Sequence, residues 1–475
     1  MDNGVKAGSL TGRPLFFCGI GGSGMLPLAQ IAHGFGHSVA GSDRSRDQGR
    51  TPDKFAWMEA NGFALFPQDG SGVTSADQVL IASAAIEDTV PEVARARDMG
   101  CERLSRAELL SRLFNAADFS IAVGGTSGKS TVTGMIAWIL AEGGYDPTVM
   151  NGAVMKNFVT PANPFASARI GKPALFVSEV DESDGSIALY RPAIGVLLNV
   201  SLDHKSIEEL RALFGKFVAT AGTAVINLDS PEAAYLAPKA AAAVTFGITS
   251  RSADITVERD SIDQSELGVR AAVIDNRKRE VFPLILPIPG LHNLSNALAA
   301  IAAASAAGIS IGHATFALRS FDGLARRFDV IGTTSSGITV IDDFGHNPEK
   351  CAATLRTLKA THGRVIAFFQ PHGFGPLRQM GAELAQTFAR ELAPDDITIF
   401  SDPVYFGGTV DRSEGSEKII GLINAAGGQA EHIAARDDCA DRIVALARPG
   451  DRIVVMGARD DTLAEFAQSI LARLA

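Results

Sequence analysis

The heptapeptide Gly125-Thr126-Ser127-Gly128-Lys129-Ser130-Thr131 combines glycines, an ammonium and adjacent hydroxyls, the groups that phosphate chemistry uses. The strict phosphate-loop pattern G-x-x-x-x-G-K-[ST] requires a glycine where this chain has Val123, and Gly124 stands one residue too close. The segment nevertheless joins a strand-like run, 119–125, to a helical pattern over 131–144, which is where a phosphate loop belongs. Successive N–H groups at a helix N-terminus can cradle phosphates, Lys129 adds a point charge, and Ser130 can reach Mg²⁺. The competing reading is a chance Gly-Lys-Ser.

Four acids, Glu179, Asp181, Glu182 and Asp184, follow an apolar run that starts at Leu175. A solvated loop is the commonest fate of such a cluster. The next apolar run, 193–200, leads to Asp203 and His204. A carboxylate and an imidazole at neighbouring strand ends, beside a phosphate loop, are suited to a divalent metal on ATP, because ligands in open α/β sheets gather at such ends.

Nearer the N-terminus, a strand-like run (Leu15 to Cys18) leads into Gly19-Ile20-Gly21-Gly22-Ser23-Gly24 and then a helical pattern from Met25 to Ala32. A second strand-like run, His37 to Ala40, ends at Gly41-Ser42-Asp43. Asp43 lies close to the ~20-residue spacing of a dinucleotide-binding fingerprint. The physics specifies a diphosphate at the helix and a hydroxyl-bearing ligand at the acid. NAD, FAD and a UDP-sugar all satisfy it, and a glycine-rich turn without a ligand is the bland alternative.

These motifs need strands and helices in alternation to position them, and the chain supplies that alternation throughout. The expected fold class is α/β with mostly parallel sheets. At 475 residues three domains are expected: 1–115, 116–320 and 321–475. Hydrophobic residues make up 46% and charged ones 20%, which suits a globular protein with several cores. A net charge of −10 argues against nucleic acid as a partner. Cys18, Cys101, Cys351 and Cys439 are too scattered for a zinc or redox motif. No apolar run is long enough to span a membrane and the N-terminus has no signal core, so a cytoplasmic protein without a membrane partner is expected, as a monomer or homodimer.

Taken together, the motifs resemble those of the Mur ligase family. The glycine loop Gly19–Met25 with Gly41–Asp43 matches that family's GIGGxGM and GSD, and Gly125–Thr131 matches its short ATP loop, GTxGK[ST]T. Glu179–Asp184, Asn199–His204, Pro289–Ala300, Gly323–Gly332, Asp342–Pro348 and Phe369–His372 continue the match in order. The resemblance implies a three-domain architecture: Rossmann-like, then P-loop ATPase-like, then Rossmann-like again. It implies an ATP- and Mg²⁺-dependent ligase that joins the carboxylate of UDP-N-acetylmuramate, via an acyl phosphate, to the amine of L-alanine or a relative, for peptidoglycan synthesis. Residue by residue, it assigns the UDP-sugar to Gly19–Gly24, Ser42, Asp43 and Ser83. ATP falls to Gly125–Thr131, Asn293, Asn296, Arg327 and Asp343, and the metal to Ser130, Glu179 and His204. Lys129, Glu179, His204 and His346 carry the chemistry, while His346, His372 and Arg378 face the amine substrate.

The departures from the family pattern bear on the amine. Ser127 and Asn347 stand where the family has histidines, and Gly373 and Pro376 replace two arginines, leaving Arg378. A roomier, less cationic pocket is expected, with weaker use of L-alanine. The alternative within the family is a muropeptide-recycling ligase that adds a preformed peptide. An NAD-dependent dehydrogenase leaves the phosphate loop unexplained. A non-catalytic nucleotide-binding regulator is disfavoured by the presence of Lys129, Glu179 and His204.

Overall fold

The computed structural model describes residues 10, 12–83, 86–201, 206–404, 412 and 414–475. The chain divides into two units, Met1–Ile255 with Ala299–Ala314, and Thr256–Leu298 with Thr315–Ala475.

The first unit opens with β1 (Leu15–Cys18), β2 (Val39–Ser42), β3 (Ala64–Phe66), β4 (Val79–Ala82) and β5 (Glu102–Ser105). These form an all-parallel sheet in the order β3-β2-β1-β4-β5, with Leu15 paired to Val39 on one side and Val79 on the other. That order reverses between β1 and β4, and the crevice at such a reversal is where ligands bind. All four residues of β1 and of β4 are buried, so both strands read as continuous apolar runs and not as alternating ones.

A second sheet follows, from β6 (Phe119–Gly124), β7 (Pro147–Met150), β8 (Ala168–Arg169), β9 (Lys172–Glu179), β10 (Ile194–Leu197), β11 (Thr223–Asn227) and β12 (Ala243–Phe246). Their order is β12-β11-β10-β6-β9-β7-β8, parallel except for the β7–β8 pair. The two sheets of this unit share one core. Phe114, on the last helix of the first sheet, packs edge-on against Phe176 of β9 and against Tyr190. Trp57 adds a hydrogen bond from its indole nitrogen to the Ala162 carbonyl.

The second unit begins with long strands β13 (Ile255–Ser265), β14 (Gly268–Asp275) and β15 (Glu280–Leu286), of which β14 and β15 pair antiparallel. It continues with β16 (Asp329–Thr333), β17 (Thr339–Asp343), β18 (Val365–Gln370), β19 (Ile397–Phe400), β20 (Ala430–His432) and β21 (Arg452–Gly457). These form a sheet ordered β16-β17-β21-β18-β19-β20, parallel except at β16–β17. Separate apolar clusters cover its two faces, one centred on Phe369, Phe388 and Phe400, the other on Phe368 and Phe466. The architecture is the expected α/β one, with three sheets. No helix among the described residues is long and apolar enough to cross a membrane, and all four cysteines are free thiols.

Candidate functional site

The glycine-rich loop turns directly off β1. Gly19 has φ of +77°, a conformation that favours glycine, and the Gly19 and Ile20 N–H groups donate to the Ser42 carbonyl at 2.8 and 3.0 Å. Gly21 donates to an Asp43 carboxylate oxygen at 2.8 Å, and the other Asp43 oxygen accepts from Ser45 at 2.8 Å. Asp43 therefore ties the loop to the end of β2 and caps the short helix after it, a role that its spacing from Gly24 did not suggest. Gly21 also makes room for the ring of Phe55, which a β-carbon would meet at 2.8 Å. Gly22 and Ser23 form the exposed crest, Ile20 is in the core, and Gly24 caps the helix Met25–Gly34. Ser83 follows β4 directly, across the sheet reversal from Gly19. The Ser42 hydroxyl is buried with no hydrogen-bond partner among the described residues.

The phosphate loop turns off β6 in the same unit. Gly125 (φ +137°) passes so close to the end of β10 that a β-carbon would lie 3.0 Å from Leu198. Gly128 (φ +89°) starts the helix Lys129–Glu142, so the loop's N–H groups converge at a helix N-terminus. Asn199 clasps the loop from the side. Its Oδ1 accepts from the Ser127 N–H at 2.8 Å, and its Nδ2 donates to the Ser127 carbonyl at 3.0 Å. The Thr126 hydroxyl accepts from the Ser201 N–H at 3.1 Å. These ties hold the one-residue-shorter loop in place.

Two carboxylates meet the loop's functional side chains. The Lys129 ammonium donates to the Gly125 carbonyl at 2.6 Å and to Glu182 at 2.9 Å. The Ser130 hydroxyl donates to Glu179, the last residue of β9, at 2.7 Å. Gly152 leaves the space that Glu179 fills, since a β-carbon there would lie 2.2 Å from its Oε1. Burial raises the Glu182 carboxyl above the usual carboxylate range, and the Lys129 charge offsets only part of that. Asp181 goes the other way: burial opposes its ionisation, but the Ser183 N–H and Lys129 outweigh it and hold its pKa below the ordinary value. A cavity of about 60 Å³ opens here, lined by Arg106, Lys129, Glu179, Asp181 and Tyr190 among others. His204, the third expected metal ligand, lies outside the described residues. Asn199 and Glu182 stood in the sequence motifs without a role, and no motif flagged Arg106.

In the second unit, Asn293 and Asn296 lie at the start of the helix Leu291–Ala306, with Asn293 donating to the Pro289 carbonyl at 2.7 Å and Asn296 to Asn293 at 3.3 Å. Asp343 ends β17 and accepts from the Phe328 N–H, the Gly345 N–H and the Thr354 hydroxyl, each at 2.8 Å. Arg326 and Arg327 both stack on the Phe344 ring, at 5.0 and 4.5 Å. His346 packs against His372 with ring centroids 5.2 Å apart. Its Nδ1 lies 2.8 Å from the Phe344 carbonyl, which can only accept, so Nδ1 carries the proton and Nε2 keeps its lone pair. Burial, reinforced by the Lys350 charge, lowers the His346 pKa to about 3, so the ring is neutral at physiological pH.

The departures acquire local explanations. Asn347 caps the helix Pro348–Lys359 by accepting from the Lys350 N–H at 2.9 Å, a task that asparagine performs better than most residues. Gly373 has φ of 147° and ψ of 160°, a region essentially restricted to glycine. Pro376 falls in the first turn of the helix Phe374–Glu391, where its missing N–H costs nothing, and Arg378, two residues further on, is exposed.

Comparison with known proteins agrees with this geometry. Residues 15–118, 123–304 and 326–459 match three successive family models: the Mur ligase family catalytic domain, the Mur ligase middle domain, and the Mur ligase glutamate ligase domain. The chain is 35% identical to a UDP-N-acetylmuramate–L-alanine ligase of Agrobacterium fabrum, with 94% of each chain covered. It is 34% identical to another so named from Granulibacter bethesdensis, covering 99% of this chain and 97% of that one. Among solved structures it is similar to a UDP-N-acetylmuramate–alanine ligase of Thermotoga maritima (25% identity, TM-score 0.79, 97% and 99% covered). A murein peptide ligase of Psychrobacter arcticus is also similar (26%, TM-score 0.70, 98% and 99%). With matched segments running in order along nearly the whole chain, and with the phosphate loop and glycine-rich loop built as described, the protein belongs to the Mur ligase family.

Proposed function

We propose that the protein is an ATP-dependent ligase that joins the carboxylate of UDP-N-acetylmuramate to the amino group of L-alanine in the cytoplasmic synthesis of peptidoglycan precursors. One observation carries this reading. The first unit holds a glycine-lysine-serine loop whose serine meets the carboxylate that ends β9 and whose lysine meets another three residues later, together with a glycine-rich loop suited to a nucleotide diphosphate. Relatives of that name at 35% identity support the choice of substrates.

The chemistry follows from charge. A substrate carboxylate and the γ-phosphate of ATP repel, so cations must lie between them. Lys129 supplies one, exchanging its contacts with Gly125 and Glu182 for phosphate oxygens. The Ser130 hydroxyl and the Glu179 carboxylate, already in contact, are hard oxygen donors that fit Mg²⁺, with His204 as a further ligand. When bound, the ion supplies positive charge at the phosphates. The carboxylate oxygen bonds to the γ-phosphorus and ADP leaves. The amine nitrogen then bonds to the acyl carbon and loses a proton as inorganic phosphate departs. We assign Asn293, Asn296, Arg327 and Asp343 to the nucleotide, and His346, His372 and Arg378 to the amine side. His346, with its basicity held so low and its Nε2 facing the Lys350 ammonium at 3.5 Å, is too weak a base to deprotonate the amine.

The test is ADP release by the purified protein with each substrate omitted in turn. Release that needs all three substrates supports the reading, and release indifferent to the sugar nucleotide overturns it. The lost arginines at 373 and 376 favour a second reading, a preformed peptide as the amine, which the same assay separates by supplying tripeptide in place of L-alanine.

A further inference from the structure

Arg106 is the first residue of the helix Arg106–Asn115, whose N-terminus is fixed by reciprocal hydrogen bonds between Ser105 and Glu108. That cap sets the backbone from which the arginine projects into the cavity shared with Lys129, Glu179 and Asp181. On its way the side chain crosses the glycine-rich loop. A β-carbon on Gly24 would lie 3.3 Å from the arginine Cδ and 3.5 Å from its Nε. Gly24 has an ordinary φ of −97°; it is the passage of Arg106 that favours glycine there. Among the described residues the Arg106 side chain has no hydrogen bond and no ion-pair partner, although Asp181 and Tyr190 feel its charge. Lys129, in the same cavity, is engaged twice. A half-buried guanidinium with five donors and no partner leaves hydrogen-bonding capacity for an anion.

We infer that Arg106 binds the carboxylate of the sugar nucleotide and holds it beside the phosphate loop. The assignment rests on the ligase reading above. The carboxylate that attacks the γ-phosphate must come to rest near Lys129, and that is the cavity Arg106 lines. Asp181 in the same cavity repels an incoming carboxylate, Lys129 and the metal ion are engaged by the phosphates in the ligase reading, and the forked guanidinium of Arg106 matches two carboxylate oxygens. The diphosphate is the other oxyanion within reach of the loop, and UDP-N-acetylglucosamine, which has the diphosphate and lacks the carboxylate, separates the two.

The experiment is calorimetric titration of wild type, Arg106→Met and Arg106→Lys with UDP-N-acetylmuramate and with UDP-N-acetylglucosamine, with ATP binding as a check on folding. Arg106→Met should weaken UDP-N-acetylmuramate by about 10- to 150-fold, as loss of a charge-assisted bond implies, and UDP-N-acetylglucosamine by no more than about 2-fold. Arg106→Lys keeps the charge without the fork and should lose part of the affinity. If Arg106→Met also loses ATP, it has lost its fold and Arg106→Lys decides by the same comparison between sugars. Equal weakening of both sugars, or of neither, overturns the assignment alone. Failure of the wild type to bind UDP-N-acetylmuramate overturns the ligase reading, and this assignment with it.

Discussion

Asn199→Ala removes the clasp on the phosphate loop and nothing else of the loop's own chemistry. The side chain makes two hydrogen bonds to the peptide groups of Ser127, at 2.8 and 3.0 Å. At about 0.5–1.5 kcal/mol net for each, the pair fixes the loop by about 1–3 kcal/mol. The ties of Thr126 to the main chain of Asn199 and Ser201 survive the substitution, so the strand ends stay in register and the loss is local. ATP must then order the loop as it binds, which raises its Kd by about 5- to 150-fold. Calorimetric titration with a non-hydrolysable ATP analogue reads this directly, and UDP-sugar affinity, which we assign to the loop after β1, should move by less than about 2-fold. An ATP analogue Kd within about 2-fold of wild type would refute the reasoning, because the shorter loop would then hold its shape without the clasp.

Further expectations follow from individual contacts. Glu179→Gln should raise the Mg²⁺ concentration needed for half-maximal activity, with rescue at high Mg²⁺; an unchanged Mg²⁺ titration takes Glu179 off the metal. Asp342 is fully buried, and burial, opposed by Arg326, pushes its carboxyl up to about 7. The unfolded carboxyl titrates near about 3.9, so between these values the folded state holds the proton, and stability from this group falls as pH rises through that window. The thermal midpoint of Asp342→Asn relative to wild type should therefore climb from pH 4 to pH 7, and a constant difference contradicts the assignment. Pro376→Arg should improve kcat/KM for L-alanine, by up to about 10- to 150-fold if a charge-assisted contact is restored. Position 373 does not offer the same test, because its backbone region costs a side chain about 1–3 kcal/mol. If the unmodified protein already uses L-alanine efficiently and Pro376→Arg does not help, the altered-pocket idea fails.

The order of elements was legible because buried parallel strands are apolar runs and glycine marks their ends. The run Leu15 to Cys18 is β1 residue for residue, and the loop at 125–131 sits where its pattern put it. The second strand was read two residues early, at His37, because the buried stretch continues through Gly41 and Ser42, which carry no apolar signal. The long strands β13–β15 went unread, since the consecutive charges Glu258-Arg259-Asp260 break the apolar pattern of β13 and no motif marks any of the three. At the site, residue types predicted phosphate and metal chemistry but not who holds whom. The Asn199 clasp and the Lys129–Glu182 pair join residues 72 and 53 positions apart, and only the strand order β10-β6-β9 brings them side by side. Asn347 read as a lost histidine, whereas the structure shows a helix cap.

The most direct measurement is inorganic phosphate release by the purified protein with ATP, Mg²⁺, UDP-N-acetylmuramate and L-alanine, with the product identified by mass. The account predicts release only when all the substrates are present, a product of UDP-N-acetylmuramate plus one alanyl residue, and a drop of at least about 10²-fold in Lys129→Ala. Release that ignores the sugar nucleotide, or a Lys129→Ala variant that turns over at near the wild-type rate, would contradict it.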